Sequence, residues 1–127
     1  MPVYSSVPFT LVNNTSIKIR KLMIDDSCPI DEFISEMEEN PLDISALKSI
    51  LTIIERYKPG ALLPNTVFNH IDGDVYEFKK KRKGTNAVRI YVQLKRPNML
   101  VLIGGSKNSQ KKDIAIVKKL RPQLNLI

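Results

Sequence analysis

Apolar residues recur along this chain in two rhythms, and the change from one to the other divides it into elements. "SIKIRKLMI" sets Ile17 and Ile19, then less cleanly Leu22 and Ile24, against basic neighbours, which predicts a first half-buried strand from residue 17. The rhythm then lengthens to three and four. Ile30, Phe33, Ile34 and Met37 share one face of a helix that starts near Ser27 and Pro29, carries Asp31 and Glu32 in its first turn, and runs to about Asn40. A second helix is expected from about Asp43, with Ile44, Leu47, Leu51, Ile54 and Tyr57 spaced by three or four, ended by Pro59-Gly60. Three strand-like segments follow, "VYEFKKKR", "AVRIYVQLK" and "MLVLIGGSK", separated by "KGTN" and "RPN", both with hairpin chemistry. A short helix from about Lys112 to Leu120 closes the series, with Ile114, Val117 and Leu120 on one side. Residues 1–16 show no sustained period and read as an arm docked through Val7, Phe9 and Leu11.

The expected fold class is α+β: one domain over residues 17–127, preceded by the arm, with an N-terminal strand, a helical hairpin, a three-stranded antiparallel meander and a short C-terminal helix. The helical hairpin should cover one sheet face and leave the other open. Alternation decides which side chains reach the open face. Val88, Ile90, Val92 and Leu94 form the apolar row toward the helices, so Arg89, Tyr91, Gln93 and Lys95 point the other way. Tyr76 and Phe78 take the core side of the preceding strand, which places Glu77, Lys79 and Lys81 beside Arg89. Lys107, just after Gly104-Gly105, can join them.

Composition adds a charge division. The 127 residues carry a net charge of +7, but residues 1–75 hold 6 Lys/Arg against 11 Asp/Glu, whereas residues 76–127 hold 14 Lys/Arg against only Glu77 and Asp113. Such asymmetry points to a polyanionic partner for the C-terminal half, nucleic acid first, with acidic proteins and anionic membrane surfaces as alternatives. A protected, solvated strand edge explains the run Lys79 to Lys83 alone, but not the excess that continues through Lys107, Lys111, Lys112, Lys118, Lys119 and Arg121. No run of apolar residues is long enough to span a bilayer and no secretory leader is legible, so the expected location is cytoplasmic, with no membrane partner. Cys28 is the only cysteine, which excludes an intrachain disulfide and a cysteine-cluster metal site. "GGSKNS" lacks the spacing of a phosphate-binding P-loop, and neither a cofactor nor a metal is expected.

The order of elements, with "VYEFKKKR", "VRIYV" and "LVLIGGSKNSQKKDIAIVKKL", resembles the RelE/ParE toxin superfamily, its RelE and HigB branches in particular, over about residues 17–121. The resemblance implies the toxin of a bacterial type II toxin-antitoxin pair: a ribosome-dependent, metal-independent mRNA endoribonuclease that inhibits translation. Its implied partners are mRNA, ribosomal A-site rRNA and an acidic cognate antitoxin that would bind it in a hetero-oligomer. By position, Lys79 and Lys81 match the family's basic residues on the first meander strand, Arg89 the arginine of the next, and Lys107 the basic residue after the last. Lys80, Arg82, Lys83, Lys95, Lys111 and Lys112 are the further RNA-binding candidates. The chemistry needs a base for the 2′-hydroxyl, cations for the phosphate and an acid for the 5′-oxygen. Arg89 suits the phosphate through its planar fork; Lys79 or Lys81 could serve as base.

Where many members carry a Tyr or His near the C-terminus, this chain has no aromatic residue or histidine after Tyr91, so Tyr91 or His70 would have to substitute. A lone histidine is more often a surface or turn residue than a catalyst. Two other functions fit the same charge pattern: a ParE-like, non-enzymatic inhibitor of DNA gyrase, and a basic RNA-binding module without cleavage.

Overall fold

Residues 1–60, 62–81, 87–106 and 108–127 are described by a computed structural model. It is an α+β fold of six strands and three α-helices. Strand β1 (Tyr4–Pro8) leads to β2 (Lys18–Ile24), helices α1 (Pro29–Met37) and α2 (Pro41–Arg56), then β3 (Phe68–Asp72), β4 (Val75–Lys81), β5 (Ala87–Lys95), β6 (Asn98–Ser106) and helix α3 (Gln110–Leu120). The sheet order is β1-β2-β6-β5-β4-β3; β2 and β6 run parallel and every other pair is antiparallel.

The helices form where the three-and-four spacing places them, with shifted ends. Pro29 opens α1 and Asp31 and Glu32 fill its first turn, but the residue before it, Cys28, supplies no side-chain cap. Asn40 caps α2 by accepting from the Leu42 N–H at 2.9 Å, which starts that helix at Pro41. Helix α3 begins at Gln110, two residues ahead of its expected start.

Two strands exceed the expected meander and single leading strand. Residues 68–72 pair antiparallel with β4 across a two-residue turn whose Gly73 has φ 56°. The meander therefore has four strands. The N-terminal arm contributes β1, which pairs with β2 from Tyr4↔Ile24 to Pro8↔Arg20. Of its three expected docking residues only Phe9 enters the core, at 3% exposure, while Leu11 stands 57% exposed and Val7 sits at the surface.

Helices α1 and α2 cover one sheet face, where Ile30, Phe33, Leu47, Ile50 and Ile54 meet Phe78, Val88, Ile90, Val92, Met99 and Val101. The opposite face is not open along its length, contrary to the sequence-based expectation. Val117 and Leu120 of α3, with Leu124 beyond it, pack on Leu22, Val75, Tyr91, Leu100, Leu102 and Ile103. The reason is that β2, β4 and β6 carry apolar residues on this side too, and burying them against α3 is favourable. A bulge in β6 assists: the register passes from Tyr91↔Ile103 to Val92↔Val101, which leaves Leu102 without a partner across. Beyond it Gly104 lies against the Phe33 ring, and Gly105 against Asp113 and Ser109, both too close for a Cβ. Among the described residues no helix is long and apolar enough to cross a membrane.

The arm's role in the core is testable by truncating its side chains. Phe9→Ala should lower the free energy of unfolding by about 3 kcal/mol, whereas Leu11→Ala should change it by less than about 0.5 kcal/mol. Urea denaturation of the two variants measures both; equal effects would mean that the arm is not part of the core.

Candidate functional site

The face shared by β4 and β5 is set by their register, Glu77↔Tyr91 and Lys79↔Arg89, so alternation brings Glu77, Lys79, Arg89 and Tyr91 to one side as expected. Helix α3 covers the Tyr91 end of this row. Toward the other end lies a cleft of about 460 Å³ lined by Thr66, Val67, Lys79, Lys80, Lys81, Ala87 and Arg89. Three of the four main catalytic candidates thus meet in one cleft, and Lys80 joins them. Among the described residues none of these three lysines has a carboxylate partner. Lys79 is half-buried while Lys80 and Lys81 are exposed.

Arg89 differs from the lysines. It is only 6% exposed and its Nε lies 3.5 Å from Oε2 of Glu77, itself 2% exposed. Its Nη1 donates to the Ala87 carbonyl at 3.4 Å. Glu77 Oε1 accepts from Asn69 Nδ2 of β3 at 3.3 Å. A charge pair held out of water depends on such contacts, and here they are partial: among the described residues Glu77 Oε2 and Arg89 Nε make no hydrogen bond.

Behind Arg89 the polar row continues under α3. Gln93 donates to Asp74 at 3.2 and 3.3 Å, and Asp74 also accepts from Arg121 Nε at 3.0 Å. The hydroxyl of Ser109 donates to Asp113 at 2.6 Å, which pins the first turn of α3 over Gly105. Tyr91 is fully buried, and among the described residues its hydroxyl makes no hydrogen bond of good geometry, with the Glu77 carboxylate its acidic neighbour across the strands. Burial, reinforced by the negative charges of Glu77 and Asp113, pushes its phenol well above the ordinary value of 10.0, against a smaller opposing effect of Arg89.

The remaining candidates disperse. Tyr91 has no surface to offer a substrate, because the α3 cluster seals it. His70 pairs with Tyr76 on the α2 side of the sheet, opposite to Arg89, and its Nε2 donates to the Gly73 carbonyl at 2.9 Å; it packs a turn. Lys95 lies about 20 Å of strand from Arg89 and sits 3.9 Å from Asp74. Lys111 and Lys112 are exposed in the first turn of α3, where Lys112 lines a separate cleft of about 520 Å³ with Glu32, Glu36 and Asp113. Lys107, Arg82 and Lys83 lie outside the described residues. Among the described residues no cluster of His, Cys, Asp and Glu could hold a metal ion.

Asn69 and Asp113 were not legible as site neighbours. Asn69 belongs to a strand that went unrecognised, and Asp113 entered only as one of two acids in the basic half, although its spacing of four from Val117 puts it on that helix's buried face. No protein-family model, curated protein or solved structure matches the chain.

The buried phenol gives a pH signature. Because the folded state holds the Tyr91 proton above the pH at which the unfolded chain releases it, the associated stability is complete below about pH 10 and declines as pH rises toward the folded value. Tyr91→Phe should be within about 1 kcal/mol of the parent at neutral pH, since the lost hydroxyl makes no hydrogen bond of good geometry. Above pH 10 the parent should lose stability faster than the variant by about 1.4 kcal/mol per pH unit. Urea unfolding between pH 8 and 11.5 measures the difference; parallel curves would place the phenol in water.

Proposed function

We propose that the protein is a RelE/HigB-like toxin that cuts translated mRNA and is silenced by an acidic antitoxin seated over its basic cleft. The observation that carries this reading is the meeting of Lys79, Lys80, Lys81 and Arg89 around a single cleft of about 460 Å³. Several cations lining one cleft suit the phosphates of a nucleic-acid backbone. The order β2, α1, α2, β4, β5, β6, α3 also follows the element order of the resemblance, with β1 and β3 added at the two sheet edges.

In the reaction the 2′-oxygen attacks the adjacent phosphorus, a P–O2′ bond forms and the P–O5′ bond breaks. Lys79 or Lys81 accepts the 2′-hydroxyl proton as general base, and a neighbouring lysine donates one to the departing 5′-oxygen. Arg89 and the remaining lysine balance the charge that grows on the phosphoryl oxygens. Tyr91 and His70 take no part, the first being sealed under α3 and the second lying across the sheet.

Those two placements favour one second reading. Without either side chain as a proton donor, a ParE-like toxin that blocks DNA gyrase by contact would use the same cleft for binding alone.

Induced expression should arrest growth and leave translated messages cleaved. Lys79→Ala and Lys81→Ala should each reduce cleavage by about 100-fold at equal soluble protein. Arrest with intact messages and inhibited supercoiling would select the gyrase reading, and undiminished cleavage by the double variant would remove the cleft from either role.

A further inference from the structure

Arg89 reaches the cleft, whereas Glu77 does not line it. The carboxylate stands behind the guanidinium, 3.5 Å from Nε, and is itself approached from its other oxygen by Asn69 at 3.3 Å. Asn69 is anchored in turn, since its Nδ2 also donates to the Asn65 carbonyl at 2.8 Å. Three side chains from three adjacent strands therefore form a line, Asn69 on β3, Glu77 on β4 and Arg89 on β5, that ends at the cleft wall.

We propose that Glu77, oriented by Asn69, is the positioning residue for Arg89: it holds the Nε side of the guanidinium and so directs the group to receive a phosphate. The inference rests on reading the cleft as a phosphate site. Its logic is entropic and geometric. A free arginine spreads over many rotamers, and an anion that must gather it loses affinity in proportion. Glu77 and the Ala87 carbonyl instead fix the side chain before the anion arrives, as outer partners orient the ligands of a metal. Replacing a whole buried ion pair by apolar side chains of similar volume is often neutral for stability, so folding alone gives little reason for Glu77 and Arg89 to be there. Its place behind the one buried cation of the cleft gives it work that an apolar residue could not do. Edge strand β3 gains a purpose in the same stroke, because it delivers Asn69.

Inorganic pyrophosphate is the probe, titrated by calorimetry into the full-length protein and into Glu77→Gln, Asn69→Ala and Lys79→Ala, with the Arg89 Nε–H resonance followed by NMR. Glu77→Gln keeps the size of the side chain and removes its charge. It should weaken pyrophosphate binding about ten-fold and shift the Arg89 Nε–H signal, with a smaller loss for Asn69→Ala. Lys79→Ala should weaken binding while leaving that signal in place. A role in folding alone would lower the thermal midpoint of Glu77→Gln without altering the affinity of the folded protein, which would overturn the proposal. So would tighter binding in that variant, which would show that the carboxylate opposes the anion, or no pyrophosphate binding by the parent. Should the parent bind pyrophosphate in the Glu77-dependent manner but leave RNA intact, the positioning role stands and the ribonuclease reading falls.

Discussion

Strand β5 is buried on both faces from Ala87 to Gln93, yet every second residue of that run is polar. This constraint organises the molecule. Val88, Ile90 and Val92 are satisfied by the apolar sides of α1 and α2 without further conditions. Arg89, Tyr91 and Gln93 require partners, because a polar group taken out of water without one costs more than most single contacts return. Each neighbouring element supplies an answer: β4 brings Glu77 to Arg89, the β3–β4 turn brings Asp74 to Gln93, and Arg121 beyond α3 locks that aspartate. The answers are incomplete. Oε2 of Glu77, Nε of Arg89, Oε1 of Gln93 and the Tyr91 hydroxyl lack hydrogen bonds. Among the described residues, the polar side of β5 thus keeps unpaired atoms beneath α3 and behind the cleft wall.

Alternation alone was sufficient to sort β4 and β5 into faces, since each shows a clean period of two. It gave no means of knowing what covers the second face. Leu22 and Ile24 interrupt the tidy alternation of "SIKIRKLMI" because β2 is buried on both sides: Ile19 and Met23 pack toward the helices, Leu22 and Ile24 toward α3. That irregularity was the visible sign of a second core. The apolar residues of the tail, Leu124 with Leu126 and Ile127, were its counterpart. Strand β3 carried a legible turn signal, the Asp72-Gly73 pair ahead of an apolar run, but with only five residues it is too short for its own period to declare it. Strand β1 gives still less, as "YSSVP" mixes turn formers with Val7 at the surface and Tyr4 half-buried against the second core, and it is held by pairing with β2. Long-range pairing is the term that local patterns do not contain.

The candidate site divides along the same line. The cleft lysines were legible as a charge excess and Arg89 as a mid-strand arginine, because charge and period are properties of the sequence itself. The disposition of His70 and Tyr91 was not, because it depends on which face each strand presents and on what lies above it. His70 sits two residues from the turn on an edge strand, and the strand's pairing with Tyr76 assigns it to the α2 side. Tyr91 follows Arg89 by two and shares its face, yet α3 crosses the sheet over Tyr91, so one borders the cleft and the other is sealed.

That crossing determines what kind of cation Arg89 is. An exposed lysine is hydrated and screened, so a phosphate gains little from any one of Lys80 and Lys81 at physiological salt. A guanidinium only 6% exposed at the cleft wall acts in a medium of lower effective dielectric, where a charge-assisted pair of bonds to a phosphate would be stronger. The same low dielectric would make an uncompensated arginine expensive to fold around, and Glu77 offsets that cost in the free protein. Because Glu77 approaches the guanidinium at Nε, the proposed phosphate would be met by its other N–H groups.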